Sequence, residues 1–151
     1  MGHCIRAVIG THEAVRKIAD DWVRAKETEL PQGFGMVFCT TALLEDIEEL
    51  MEFSDEVIER SPFPELEYFN SAAKFLMEEY SFHTKLAYIE TDYFGGAGTQ
   101  AGLLYENGQP AAEPKNGEGT INALLKELGV WRKPDTDEFD MLGLGKYRNI
   151  E

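Results

Sequence analysis

A chain of 151 residues with 43% hydrophobic content is long enough to bury a core without disulfides or metal. Its formal net charge of −14 argues against a nucleic-acid or anionic-membrane partner, since both need basic surface. Its apolar runs fall far short of the roughly 20 residues of a membrane helix, and Met1-Gly2-His3 leads straight into a strand-like segment, so a soluble, cytoplasmic protein is expected.

His3 to Ile9 (HCIRAVI), closed by Gly10, is a short run rich in β-branched residues and predicts a buried strand. Thr11 can cap the helix that follows, where Val15, Ile18, Ala19, Trp22 and Val23 recur at helical spacing and the pattern ends near Ala25. KETELPQG reads as a loop, and Phe34 to Thr41 as a second buried strand. Strand, helix and strand in that order suggest a parallel crossover. Cys4 and Cys39 each lie in one of these apolar runs, which suits reduced, buried thiols and not a disulfide framework.

Residues 42–60 carry the clearest helical pattern, with Leu43, Leu44, Ile47, Leu50 and Met51 on one stripe, continued by Ser54, Val57 and Ile58. The other face presents Glu45, Asp46, Glu48, Glu49, Glu52, Asp55, Glu56 and Glu59 with no basic residue among them, so neighbours a turn apart repel by a few tenths of a kcal/mol per pair. Residues 27–67 hold twelve acids and one base, Arg60, a net of −11, against sixteen acids and thirteen bases, a net of −3, in the rest of the chain. A dense single-sign face of this kind suits a protein-interaction surface for a basic protein. In physical type it matches small acidic inhibitors and immunity-type partners of basic proteins.

SPFP at 61–64 breaks that helix, and a further one is expected from near Leu66, with Phe69, Ala72, Ala73, Leu76 and Tyr80 inward. Lys85 to Phe94 and Gln100 to Glu106 read as strands joined to a short edge strand at Pro110 by an Asn107-Gly108 turn. After the turn-rich PAAEPKNGEG comes a helix over Thr120–Leu128, with Gly129 as its cap. Residues 131–151 carry aromatic anchors without a period. They suit an extended arm or a short last strand, and Trp131 to Tyr147 offer an apolar patch for a homo-oligomer. The order βαβααβββα predicts an α+β fold in a single globular domain, with a mixed, mainly antiparallel sheet of four or five strands covered by about four helices.

Two places carry candidate chemistry besides the acidic face. Glu90 and Asp92 are two apart on a strand and so share a face, with His83 a few residues before them and Tyr93, Phe94, Gly95, Gly96, Gly98 and Gln100 following; Tyr88 and Phe94 can line the same site. A phosphate-binding glycine loop needs a helix N-terminus behind it and often a closing Lys-Ser or Lys-Thr; GGAGTQ runs instead into the strand-like TQAGLLYE. Its glycines therefore read as a strand-to-strand device in which a positive φ, a bulge or a close backbone neighbour requires them. Glu90, Asp92 and the 94–100 loop remain a candidate site for a small molecule or metal, or for acid/base catalysis.

Cys39 with Thr40 and Thr41 closes a strand as a nucleophile can, but no spacing brings His3, His12 or His83 to it as a base. No Cys/His cluster has zinc spacing. With no convergent catalytic set and no cofactor motif, a binding protein is expected over an enzyme.

Overall fold

The computed structural model describes residues 3–52, 63–94 and 97–147, the side chains of residues 94 and 97 excepted. The strands are β1 (His3–Thr11), β2 (Glu27–Glu29), β3 (Phe34–Phe38), β4 (Lys85–Phe94), β5 (Ala97–Glu106), β6 (Gln109–Pro110) and β7 (Lys115–Asn116). They form one sheet in the order β2-β3-β1-β4-β5-β6, with β7 also on β5, and every pairing is antiparallel. The helices among the described residues are α1 (His12–Asp21), α2 (Thr41–Met51), α3 (Ser71–Tyr80), α4 (Thr120–Leu128) and α5 (Glu138–Met141). The α+β class thus holds, and the short edge strand expected at Pro110 is β6; the strands not expected, β2 and β7, are only three and two residues long.

The expected parallel crossover is absent. KETELPQG is not a plain loop: it contains β2, which pairs with β3 through Glu27↔Val37 and Glu29↔Gly35. That extra strand reverses the chain once more after α1, so β3 meets β1 antiparallel, with Ala7 opposite Phe38 and Thr11 opposite Phe34.

Helices cover both faces of the sheet, which is why β1 reads as a nearly continuous apolar run and not an alternating one. On the first face Val8, Val37, Leu86, Tyr88, Leu103 and Tyr105 pack under α1, α2 and α3 through Val15, Ile18, Leu43, Ile47, Ala73 and Leu76. On the second, Ile5, Ile9, Met36 and Ile89 pack with Ile121 and Leu125 of α4. The segment after α4 joins this second core, with Val130, Leu142 and Leu144 buried in it and Tyr147 edge-on to Phe38 at 5.9 Å.

Side-chain caps start the first three helices where the sequence offers them: Thr11 accepts from Ala14 N, Thr40 from Leu43 N and Asn70 from Ala73 N. Three local expectations fail. Helix α1 stops at Asp21, so Val23 is 96% exposed. Helix α2 closes at Met51 with Glu52 left-handed at φ 55, and Leu50 and Met51 are 69% and 41% exposed. Ser54, Val57 and Ile58 lie outside the described residues. Helix α3 starts at Ser71, five residues later than expected; Leu66 and Phe69 are buried, but from the irregular stretch that precedes it.

Candidate functional site

Glu90 organises one end of the first face. It lies on β4 opposite Arg6 of β1 and Ala101 of β5 and is 6% exposed. Its Oε1 accepts from Glu67 N at 2.8 Å, and its Oε2 accepts from Tyr68 N at 2.8 Å and from the Tyr88 hydroxyl at 2.7 Å. Burial pushes its carboxyl above the ordinary 4.5, while the hydrogen bonds from Tyr88, Tyr68 and Glu67 favour the charged form and pull against that shift. The residue that the sequence offers as a free carboxylate thus ties the stretch before α3 down onto the sheet.

Beside it opens a cavity of about 530 Å³, lined by Glu65, Glu67, Tyr68, Glu90, Asp92 and Asn116 among others. Asp92 is exposed, one pleat beyond Glu90 on the same face. The sequence reading missed Glu65, Glu67, Tyr68 and Asn116. Helical spacing assigned Leu66 onward to α3, and nothing local in KNG marks β7, which brings Asn116 opposite Ala101.

The remaining candidates divide. Gln100 borders the Glu90 cavity too, and with Tyr93 it lines a second cavity of about 320 Å³ beside His3, Thr91, Asn122 and Phe139, on the second face, where their side chains alternate with Asp92 and Thr99 along the strands. Gln100 is committed to structure: its Oε1 accepts from Ile121 N and its Nε2 donates to the Tyr93 hydroxyl, both at 2.8 Å, which fixes the start of α4 against β5. His83, left-handed at φ 64, precedes β4, and five strand steps of ~3.3 Å, about 17 Å, already separate Lys85 from Glu90. It is not part of the Glu90 site.

Gly95 and Gly96 lie outside the described residues, as does the side chain of Phe94. Gly98 has the role of close approach: a Cβ there would run into Asp92 O and Tyr93 Cα across the hairpin. The glycine stretch joins β4 to β5, with Phe94 paired to Ala97.

The two cysteines differ. Cys39 is fully buried and its thiol is pushed up to about 12 by burial, with Arg6 opposing and Glu90 reinforcing the shift, so it is a poor nucleophile. Cys4, expected to be buried, is exposed, because the β1 alternation sets it opposite exposed Asp92, beyond the covering helices. His3 binds Thr91 Oγ1 at 2.7 Å and Leu144 O at 3.1 Å, and His12 sits 2.8 Å from Glu27. Neither serves Cys39. Among the described residues no three His, Cys, Asp or Glu side chains converge to hold a metal ion, and no helix is long and apolar enough to cross a membrane.

On α2, Glu45 and Glu49 are exposed, as is Glu52 at its C-cap, Asp46 pairs with Arg24 at 3.3 Å, and Glu48 accepts from Asn70 Nδ2 at 3.3 Å. That last bond links the acidic helix to the stretch that Glu90 holds. Asp55, Glu56 and Glu59 lie outside the described residues. No family model, no curated protein and no solved structure matches the chain, so the functional reading rests on these side chains.

Proposed function

We propose that the protein is a cytoplasmic binding protein that docks a basic protein on the outer face of α2, in the manner of an acidic inhibitor or immunity-type partner. The observation that supports this reading most is the composition of that face. Glu45 and Glu49 are exposed on it, Glu52 is exposed just past its end, and residues 41–52 carry no basic residue to offset them, a single-sign surface of the kind that guides association with a basic partner. Those carboxylates steer the partner toward the helix. The test is to capture and purify the partner from the native cell, then measure its affinity for the triple variant Glu45→Lys, Glu49→Lys, Glu52→Lys. A loss of at least about tenfold at low salt, shrinking at high salt, is expected; equal affinity at both would sink the reading.

A second reading has its own support. Glu90 and Asp92 border the cavity of about 530 Å³, a volume in the range of small-ligand sites, and that favours a small-molecule site there over a solvated strand face.

A further inference from the structure

Independently of both readings above, we propose that the Asn107-Gly108 turn is a deamidation site and that the Ser81 hydroxyl guards it. The two residues join β5 to β6, with Glu106 opposite Gln109, and both are left-handed, at φ 56 and φ 80, as a hairpin turn of this type requires. Asn107 is exposed. An asparagine followed by glycine is the pair most open to this reaction, because glycine has no side chain to hinder its nitrogen. The Gly108 nitrogen gives up its proton to base and attacks Asn107 Cγ; the new N–C bond closes a succinimide ring, and the side-chain nitrogen takes up a proton and leaves as ammonia. Water then opens the ring to aspartate or isoaspartate, so the turn gains a carboxylate or an extra backbone carbon.

The fold engages the attacking nitrogen. Ser81, the C-cap residue of α3, is fully buried; its Oγ accepts from Gly108 N at 2.9 Å and its backbone O accepts from Asn107 N at 2.9 Å. The amide proton that must be lost is therefore held in a hydrogen bond to a buried side chain, away from bulk base. Phe82 packs on the turn as well, since a Cβ on Gly108 would come 3.0 Å from its Cζ. The chain has a second Asn-Gly pair, Asn116-Gly117, at the end of β7, and Asn116 is also exposed. There Gly117 N donates to the backbone O of Gln100 at 2.9 Å, a bond that no side-chain substitution removes. Asn116 thus serves as a reference within the same molecule.

Incubation of the folded full chain at mildly alkaline pH, followed by peptide mapping with mass spectrometry over time, gives the deamidation rate at each asparagine. In Ser81→Ala the rate at Asn107 is expected to rise at least about fivefold, the factor that one ordinary hydrogen bond is worth, while the rate at Asn116 changes by less than about twofold. Phe82→Ala spares the hydroxyl and alters a side chain that is 58% exposed. It is expected to leave Asn107 within about twofold of the wild-type rate. Both variants are checked for fold by circular dichroism. An unchanged rate at Asn107 in Ser81→Ala overturns the proposal. An equal rise at Asn116 also overturns it, because the protection would then belong to the whole fold. A rise in Phe82→Ala as large as in Ser81→Ala does the same, because shielding by the ring, and not the Ser81 bond, would then be the guard.

Discussion

The backbone N–H of Tyr68 donates to Glu90 Oε2 over 2.8 Å, joining the stretch before α3 to the centre of the sheet. Together with the bonds from Glu67 N and the Tyr88 hydroxyl, it makes one buried carboxylate the anchor of the cavity wall. Glu90→Ala strands two amides and a hydroxyl at once, and a loss of about 2–4 kcal/mol is expected. Glu90→Gln keeps one acceptor oxygen and is expected to lose less. Urea denaturation of both variants measures the difference; a Glu90→Ala protein as stable as wild type would show that the anchor carries no stability.

The same residue sets a pH dependence. Burial raises the Glu90 carboxyl above its ordinary 4.5 in the folded chain, so between the unfolded and folded values the folded state holds more of the proton than the unfolded one. Stability therefore falls as pH rises through that window and levels off above it. The stability of wild type minus that of Glu90→Gln is expected to decline with pH from about 4.5 upward. A difference that grows with pH would reverse the sign assigned to burial.

Tyr105 is fully buried and its hydroxyl has no partner; burial pushes its pKa up to about 12, with Glu78 adding to the shift. Removing an unsatisfied buried hydroxyl relieves its desolvation, so Tyr105→Phe is expected to be neutral or stabilising by up to about 1 kcal/mol. The midpoint of urea unfolding checks this, and a loss of more than about 1 kcal/mol would reveal an acceptor for that hydroxyl.

Gly98→Ala places a methyl group against Asp92 O and Tyr93 Cα. With backbone on the opposing strand, the clash is relieved only by opening the hairpin, and a loss of about 1–3 kcal/mol is expected. A thermal melt of the variant measures it; an unchanged midpoint would mean that the hairpin end yields freely.

Local signals carried much of the fold. Thr11 and Thr40 cap helices whose inner stripes are legible at 3.6-residue spacing, and the two-residue period of a strand is enough to place Glu90 and Asp92 on one face. What failed depended on other parts of the chain. Three residues, Glu-Thr-Glu, look like loop until β3 lies beside them, and without them the count of reversals, and so the sense of β3, comes out wrong. Leu50 continues the stripe of Ile47, but whether anything covers that turn is a tertiary matter. Gln100 borders the Glu90 cavity, but the hairpin register pairs it with Thr91 and turns its side chain to the other face, where it holds the start of α4. The cavity wall at Glu65 and Tyr68 was hidden for a related reason: it exists through side chain to backbone bonds from Glu90, which no pattern of residue types announces.

The central claim is that exposed carboxylates on α2 guide a basic protein to this chain. Its most direct test is the association rate of the purified partner with wild type and with the variant carrying Glu45→Lys, Glu49→Lys and Glu52→Lys, across a series of salt concentrations. For wild type the rate is expected to fall steeply as salt rises, and for the variant it is expected to start at least about tenfold lower and change little. Equal rates with equal salt dependence in the two proteins would contradict the claim.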